Sequence, residues 1–330
     1  MAEEVEAPPG DSPPGRPRLR WPDQPLVRTW AGVVLISFSA VYVRLADVEP
    51  ARSAFLRTAY ALPAFAVLIW WLRRRAPRAG RRIRGPIVPA AVIAGLFLGL
   101  DFVAWHESIG IIGAGLGTVM PNLQVVFVSI VAIFAFGERP HPGFWAALPV
   151  VLAGVWFLGA GGEPISTRGS MLVGTGLGVV TALFYAVYLV VLRFARLRRP
   201  AARSLEVIAS ATLGAAFATG AFALVNGVAG PPATLSDNAW MIVYALGSQV
   251  LGWFLITSSL HLLPASLTSV ALLLQPVLAM VWGVTLLDEP IGVVEAGGAA
   301  TLLLGVVAAH RAVVVGQRRR RAALEDEPLG

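Results

Sequence analysis

Long apolar runs alternate with short polar segments along most of the chain. Ten of these runs are long enough to cross about 30 Å of hydrocarbon, which takes roughly 20 residues of helix. They occupy residues 27–46, 52–72, 86–109, 113–136, 144–161, 169–192, 205–227, 239–260, 265–287 and 291–315. The pattern therefore predicts an all-α integral membrane protein with about ten transmembrane helices.

The second half of the chain repeats the pattern of the first. Gln124 and Glu138 are fourteen positions apart, and so are Gln275 and Glu289, which lie 151 positions further along. The same shift pairs four more positions: Leu123 with Leu274, Val126 with Val277, Leu152 with Leu303, and Gly154 with Gly305. Each half contains five helices, so the second half enters the membrane from the opposite side. We therefore predict two inverted-topology repeats.

The two five-helix repeats are predicted at residues 27–161 and 169–315. Residues 1–26 are rich in proline and charge, which predicts a disordered tail, and residues 316–330 form a second tail. Twenty-two of the 26 arginines fall in these tails, in the helix ends next to them and in the connections on the same side of the bundle. The positive-inside rule therefore predicts that both termini are cytoplasmic.

The composition agrees with a membrane protein, since 56% of the residues are hydrophobic and the mean hydropathy is +0.72. A pI of about 10.8 would indicate nucleic acid as a partner of a soluble chain. Here the arginines lie between apolar runs, so we expect membrane lipid and no nucleic acid as a partner. The absence of Cys and Lys excludes thiol catalysis, disulfides and a lysine-dependent phosphate loop. The four histidines are scattered along the chain, so we expect no metal site. We also expect no cofactor.

Two glutamines are the first candidates for substrate contacts. Gln124 follows Pro121 by three residues, and Gln275 directly precedes Pro276. Each proline removes a backbone hydrogen bond, so both positions are predicted helix breaks that free a carbonyl beside a buried amide. The alternative is that each glutamine only joins two helices.

Asp101 is the one carboxylate well inside an apolar run. An ionisable group there costs at least about 2.5–3.5 kcal/mol, so it should face a cavity or a partner. Helical spacing puts Trp105 on its face, and the pair would suit proton coupling or a cation contact. The alternative is that Asp101 reaches water near the outer interface.

Polar and aromatic residues at helical spacing are further candidates for a pathway lining. The eighth run carries an amide, an indole and a hydroxyl at intervals of four, and matching tyrosines occur in the first and sixth runs. These candidates are Gln249, Trp253, Thr257, Tyr42, Tyr185 and Tyr188. Such a lining would suit an amphipathic organic solute, although aromatic stripes also serve packing.

Other polar positions are expected to be structural. Arg57 lies early in the second run, and we expect it to extend to the outer interface rather than to contact a substrate anion. Glu138 and Glu289 stand beside prolines, where each carboxylate would cap the helix that follows. Glycine pairs four residues apart predict close packing inside one bundle rather than a dimer interface.

Three longer segments carry a family resemblance. They are FLRTAYALP in the second helix, ALFYAVYLVVLR at the start of the second half, and LLLQPVLAMVWGVTLLDEPIGVVEAGGAATLLLGVV near the end. Together they resemble the EamA-type transporters of the drug/metabolite transporter (DMT) superfamily. The resemblance implies a ten-helix, inverted-repeat carrier of the bacterial inner membrane that moves small organic metabolites, often by efflux. It implies no particular substrate.

The leading hypothesis is a secondary transporter, not an enzyme, that moves a small-molecule metabolite by alternating access around a midplane cavity. Proton coupling through Asp101 is one version of it, and an uncoupled facilitator or exchanger is the other. A non-transporting membrane scaffold or sensor is an alternative, and an intramembrane enzyme acting on lipid is a more distant one. The sequence leaves the oligomeric state open between monomer and homodimer.

Overall fold

The structure, a computed structural model, describes residues 25–75, 88–136, 142–158, 165–198, 204–259 and 265–325. Within these ranges every regular element is a helix, which confirms the predicted all-α membrane class. Ten helices follow one another in this part of the chain: α1 Pro25–Leu45, α2 Pro50–Arg75, α3 89–112, α4 114–136, α5 Pro142–Trp156, α6 Ile165–Arg198, α7 Ser204–Val225, α8 Leu235–Ser259, α9 Ala265–Leu286 and α10 Val293–Glu325. The last helix continues well beyond the predicted end of its apolar run.

Seven stretches of the described chain are long and apolar enough to cross a membrane. One of them, Pro89–Val131, contains all of α3 and much of α4. The two helices are separated only by Gly113, whose φ of 84° and ψ of 168° interrupt the helical backbone. Pro142–Trp156 and Leu274–Leu286 are shorter apolar helices.

Several helices are locally irregular. Phe38 divides α1, and a 3₁₀ turn over Met120–Leu123 contains Pro121, as the predicted break requires. Within α8, Ala245–Gly252 form a π-helical segment. The predicted break at Pro276 is wrong, because the α-helix Ala265–Leu286 continues through it. The turns on either side supply enough hydrogen bonds to hold a helix together when one is lost.

The packing of α5 against α10 shows the inverted repeat directly. A Cβ on Gly154 would lie 2.5 Å from the backbone nitrogen of Leu302, and a Cβ on Gly305 would lie 2.9 Å from that of Val151. Val151 and Leu302 are 151 positions apart, as are Gly154 and Gly305. The two contacts are therefore the same contact seen from each repeat, as a pseudo-two-fold axis between α5 and α10 requires.

The remaining helices pack across the two repeats. α3 lies against α6 and α7, α1 lies against α8 and α9, and the start of α2 lies against α7. Glycines allow the closest approaches: a Cβ on Gly95 would lie 2.0 Å from the carbonyl oxygen of Ala211, and one on Gly178 would lie 2.5 Å from Met120. The prediction that these glycines serve packing inside one bundle is confirmed.

Candidate functional site

Arg57 lies at the centre of a buried polar cluster. Its residue is only 3% exposed, and its guanidinium carbon lies 3.8 Å from the centre of the Phe102 ring and 4.7 Å from that of Tyr244. The expectation that this arginine extends to the outer interface is therefore wrong. Cross-repeat packing of α2, α3 and α8 encloses the side chain before it could reach a surface.

A hydrogen bond from Arg57 joins the two repeats. Its Nη2 donates to Oε1 of Gln249 over 2.8 Å, and Nε2 of Gln249 donates to the hydroxyl of Thr212 over 3.1 Å. Gln249 lies in the π-helical segment of α8. This helical form is rare in proteins, and where it occurs it is often at a functional site. The predicted candidate Gln249 is thus part of the buried cluster, with its amide held at both ends.

Asp101 and Trp105 come to the same cluster from α3. Asp101 is 6% exposed, so the alternative of a water-facing carboxylate is wrong, and its charge interacts with that of Arg57. Trp105 is also buried, with its ring centre 5.6 Å from the Arg57 guanidinium. The carboxylate and the indole that the sequence placed on one helical face are therefore brought together with an arginine of α2.

His106 and Tyr244 complete the cluster. Nδ1 of His106 lies 2.6 Å from the carbonyl oxygen of Phe102. A carbonyl only accepts, so Nδ1 carries the proton and Nε2 accepts from the hydroxyl of Tyr244, 3.3 Å away. Both residues are fully buried. The imidazole orients a tyrosine whose ring covers one side of Arg57.

A row of aromatic rings leads away from this cluster along α1. The centre of the Tyr42 ring lies 6.0 Å from that of Tyr244 and 6.2 Å from that of Trp240. Phe38 follows at 6.1 Å from Tyr42 and stacks on Trp282 at 4.8 Å. The candidate Tyr42 therefore lies in an aromatic wall that α1, α8 and α9 build together.

Tyr185 and Tyr188 stack on one another in α6, with ring centres 5.6 Å apart. They pack with Leu98 and Phe102 of α3, the helix that carries Asp101. These two candidates therefore border the Asp101 side of the cluster.

The two candidate glutamines of the repeat motif have unlike surroundings. Gln124 begins the regular part of α4 after the 3₁₀ turn, and its Oε1 is buried without a hydrogen-bond partner. Gln275 is half-buried in α9 beside Pro276. Among the described hydrogen bonds, none joins Gln124 or Gln275 to the Arg57 cluster. A role of these two glutamines in transport stays a prediction.

Trp253 and Thr257 directly follow the π-helical segment, in the regular α-helical end of α8. Trp253 packs with Val33 and Ile256, and the Thr257 hydroxyl donates to the carbonyl of Trp253 in its own helix. The predicted polar face that these two residues would share with Gln249 stays a prediction.

Glu289 caps a helix of the opposite repeat. Its Oε1 accepts from the backbone N–H of Ala114 over 2.8 Å, and its Oε2 accepts from that of Gly115 over 3.2 Å. Arg44 of α1 lies 3.7 Å from the same carboxylate. The predicted capping role holds, but the capped helix is α4 and not the following α10. Glu138 lies outside the described residues.

The sequence interpretation missed His106, Tyr244 and Thr212, and it misjudged Arg57. An arginine within an apolar run was the available indication, because intramembrane charges rarely lie where they have no role. The hydrogen-bond partners in this cluster come from distant helices. Gln249 is 192 positions from Arg57, and Tyr244 is 138 positions from His106.

Two inverted five-helix repeats around a buried charged cluster define a membrane transporter of the DMT type. The family model described as "EamA-like transporter family" matches residues 28–160 and 172–310, which together are most of the chain. The chain belongs to this family, as the resemblance in its sequence predicted. No match was found among curated proteins. One solved crystal structure, described only as that of a protein, has a TM-score of 0.55 and 18% identity and covers 88% of this chain and 98% of its own. At that identity the likeness shows the fold alone.

Proposed function

We propose that the protein is a secondary transporter that exports small organic metabolites across the bacterial cytoplasmic membrane, with both termini in the cytoplasm. The observation that carries the proposal is the 2.8 Å hydrogen bond between Arg57 and Gln249. It places a buried charge and a buried amide where the two repeats meet. Substrate sites of inverted-repeat transporters lie at that interface.

Alternating access requires a contact between the repeats that closes one side and opens in the other state. Glu289 fits this role, since it belongs to the loop between α9 and α10 and binds the start of α4. With the termini in the cytoplasm, this contact lies on the outer side of the membrane. We infer that the described conformation is closed toward the outside.

The scaffold or sensor reading explains the Arg57 cluster less well. A structural role needs no buried charge, because apolar packing of similar volume stabilises a helix bundle as well or better. An arginine held between rings of Phe102, Trp105 and Tyr244 is costly to bury and useful for recognition. The intramembrane enzyme is not favoured by any contact in the cluster.

The test compares the small molecules released by cells that overproduce the intact chain with those released by cells that overproduce Gln249→Leu. This change removes the amide that binds Arg57 and keeps the side-chain volume. Leu246→Ala is the matched control, because Leu246 is an exposed residue of the same helical segment. All three proteins must reach the membrane in equal amounts.

A metabolite enriched outside the cells with the intact chain and with Leu246→Ala, but not with Gln249→Leu, would support export. Equal release from all three strains and from cells without the protein would contradict it. Net uptake of a metabolite would retain transport and reverse the proposed direction.

A further inference from the structure

The guanidinium of Arg57 is enclosed by groups that satisfy little of its hydrogen-bonding capacity. Arginine has five N–H donors in a planar fork. In the described part of the chain its side chain makes one hydrogen bond, to Gln249, and its Nε is buried without a partner. Its guanidinium also lies over the rings of Phe102, Tyr244 and Trp105.

Asp101 lies in the same cluster and interacts electrostatically with Arg57. The two side chains form no ion pair within 4.0 Å among the described residues. A buried charge without a close partner is costly, so a buried guanidinium is normally paired with an anionic group. The unused edge of the guanidinium is therefore available to an anion.

Arginine binds carboxylates and phosphates through paired N–H···O hydrogen bonds. The charges nearby favour the carboxylate. Arg57 contributes one positive charge in a buried site, which a carboxylate balances, whereas a phosphate dianion would leave an excess of negative charge. The rings of Phe102, Trp105 and Tyr244 would pack against an apolar part of the substrate, and they suit a sugar or a polyol less well.

We propose that Arg57 is the carboxylate-binding residue of the substrate site, and that the substrates are small organic monocarboxylates with an apolar body. This inference rests on the proposed transport function and narrows its substrate class. Gln249 would position the guanidinium through Nη2, and its own amide is fixed in turn by Thr212. The substrate carboxylate would bind the edge of the fork that carries Nε.

The test measures thermal unfolding of the purified full-length protein in detergent with matched ligands. The probes are hexanoate, phenylacetate and N-acetylleucine, each paired with its neutral amide, and inorganic phosphate. We expect the carboxylates to raise the unfolding midpoint in a concentration-dependent manner. The amides and phosphate should not.

Two variants at the site separate recognition from folding. Arg57→Gln should weaken the apparent affinity for the carboxylates by about tenfold to a hundredfold, the value of a hydrogen bond to a charged group. Gln249→Glu keeps Arg57 and gives it a carboxylate from the protein itself. This variant should fold at least as stably as the original chain and should lose the carboxylate response.

Three outcomes would overturn the inference. The first is an equal stabilisation by a carboxylate and by its amide, and the second is stabilisation by phosphate instead of the carboxylates. The third is an unchanged carboxylate affinity in Gln249→Glu. If Arg57→Gln fails to fold, the Gln249→Glu result decides alone. Proteoliposomes that hold the same solutes keep the two proposals apart. Release of neutral solutes without carboxylate binding would overturn only the substrate class, whereas no release of any solute would count against transport itself.

Discussion

The carboxylate of Glu289 accepts the backbone N–H of Ala114 over 2.8 Å, although the two residues belong to different repeats. The first N–H groups of a helix have no partner within the helix, so a carboxylate there satisfies donors and interacts with the positive end of the helix dipole. Gly113 directly precedes this turn with a φ of 84°. The start of α4 is thus completed by the loop that leads into α10.

Gly113→Ala should destabilise the protein by about 1–3 kcal/mol, because a φ of 84° with a ψ of 168° is a region that essentially only glycine occupies. The added Cβ would also lie 3.0 Å from the Glu289 carboxylate. The measurement is the thermal unfolding midpoint in detergent. Gly176→Ala in α6 is the control, since nothing lies within 4 Å of its position. Equal unfolding midpoints for the two variants would contradict the claim that Gly113 needs a backbone conformation that only glycine readily adopts.

Glu289→Gln should loosen the contact between the repeats. In glutamine an NH2 group replaces one of the two acceptor oxygens and would face a backbone N–H, and the attraction to Arg44 is lost, so we expect a loss of about 1–3 kcal/mol. Met280 of α9 contacts Gly115 across this interface. The chain contains no cysteine, so Met280→Cys provides a single thiol for labelling, and labelling should be faster when Glu289 is replaced.

Glu295→Gln is the control for that measurement, because Glu295 is buried within the first turn of α10. Its replacement should leave the labelling rate of the thiol at position 280 unchanged. Faster labelling in the Glu295 variant, or no change in the Glu289 variant, would show that Glu289 does not hold this interface closed.

The membrane class, the helix count and the repeat were predictable because they depend on features of the chain itself. Apolar run length fixes a span, and the shift of 151 positions reappears in the paired contacts of Gly154 and Gly305. The centre of the site was not predictable in this way. Arg57 and Gln249 are 192 positions apart, and no spacing rule connects two helices that meet only after folding.

The errors within single helices have local physical causes. No sequence pattern predicted the π-helical segment at Ala245–Gly252, which contains Gln249. The break proposed at Pro276 assumed that proline ends a helix, but in α9 the neighbouring turns continue it. For Glu289 the sequence indicated a cap, and only the fold shows that the capped helix is α4.

Gly154→Ala and Gly305→Ala should have similar effects, because each places a Cβ against the backbone of the other helix. Overpacking of this kind costs about 1–3 kcal/mol. The double variant should cost less than the sum, since the first substitution already separates α5 from α10. Gly297→Ala in α10, with nothing within 4 Å, is the control. Additive losses measured by thermal unfolding would mean that the two contacts are independent.

Asp101→Asn tests proton coupling with the metabolite that the release experiment identifies. An asparagine has nearly the same shape but cannot take up or release a proton, so the variant should lose accumulation driven by a proton gradient. Exchange of labelled for unlabelled substrate should continue, because exchange needs the site and the conformational change but no net proton movement. Both activities are measured in proteoliposomes with and without an imposed pH difference.

Glu107→Gln is the matched control, since Glu107 is a half-buried carboxylate of the same helix. It should retain both activities. Unchanged accumulation in Asp101→Asn would exclude Asp101 as the coupling group. Loss of exchange together with accumulation would assign Asp101 a different role, that of the counter-charge that keeps Arg57 in place for the substrate. An asparagine would leave the buried guanidinium without the charge that it interacts with.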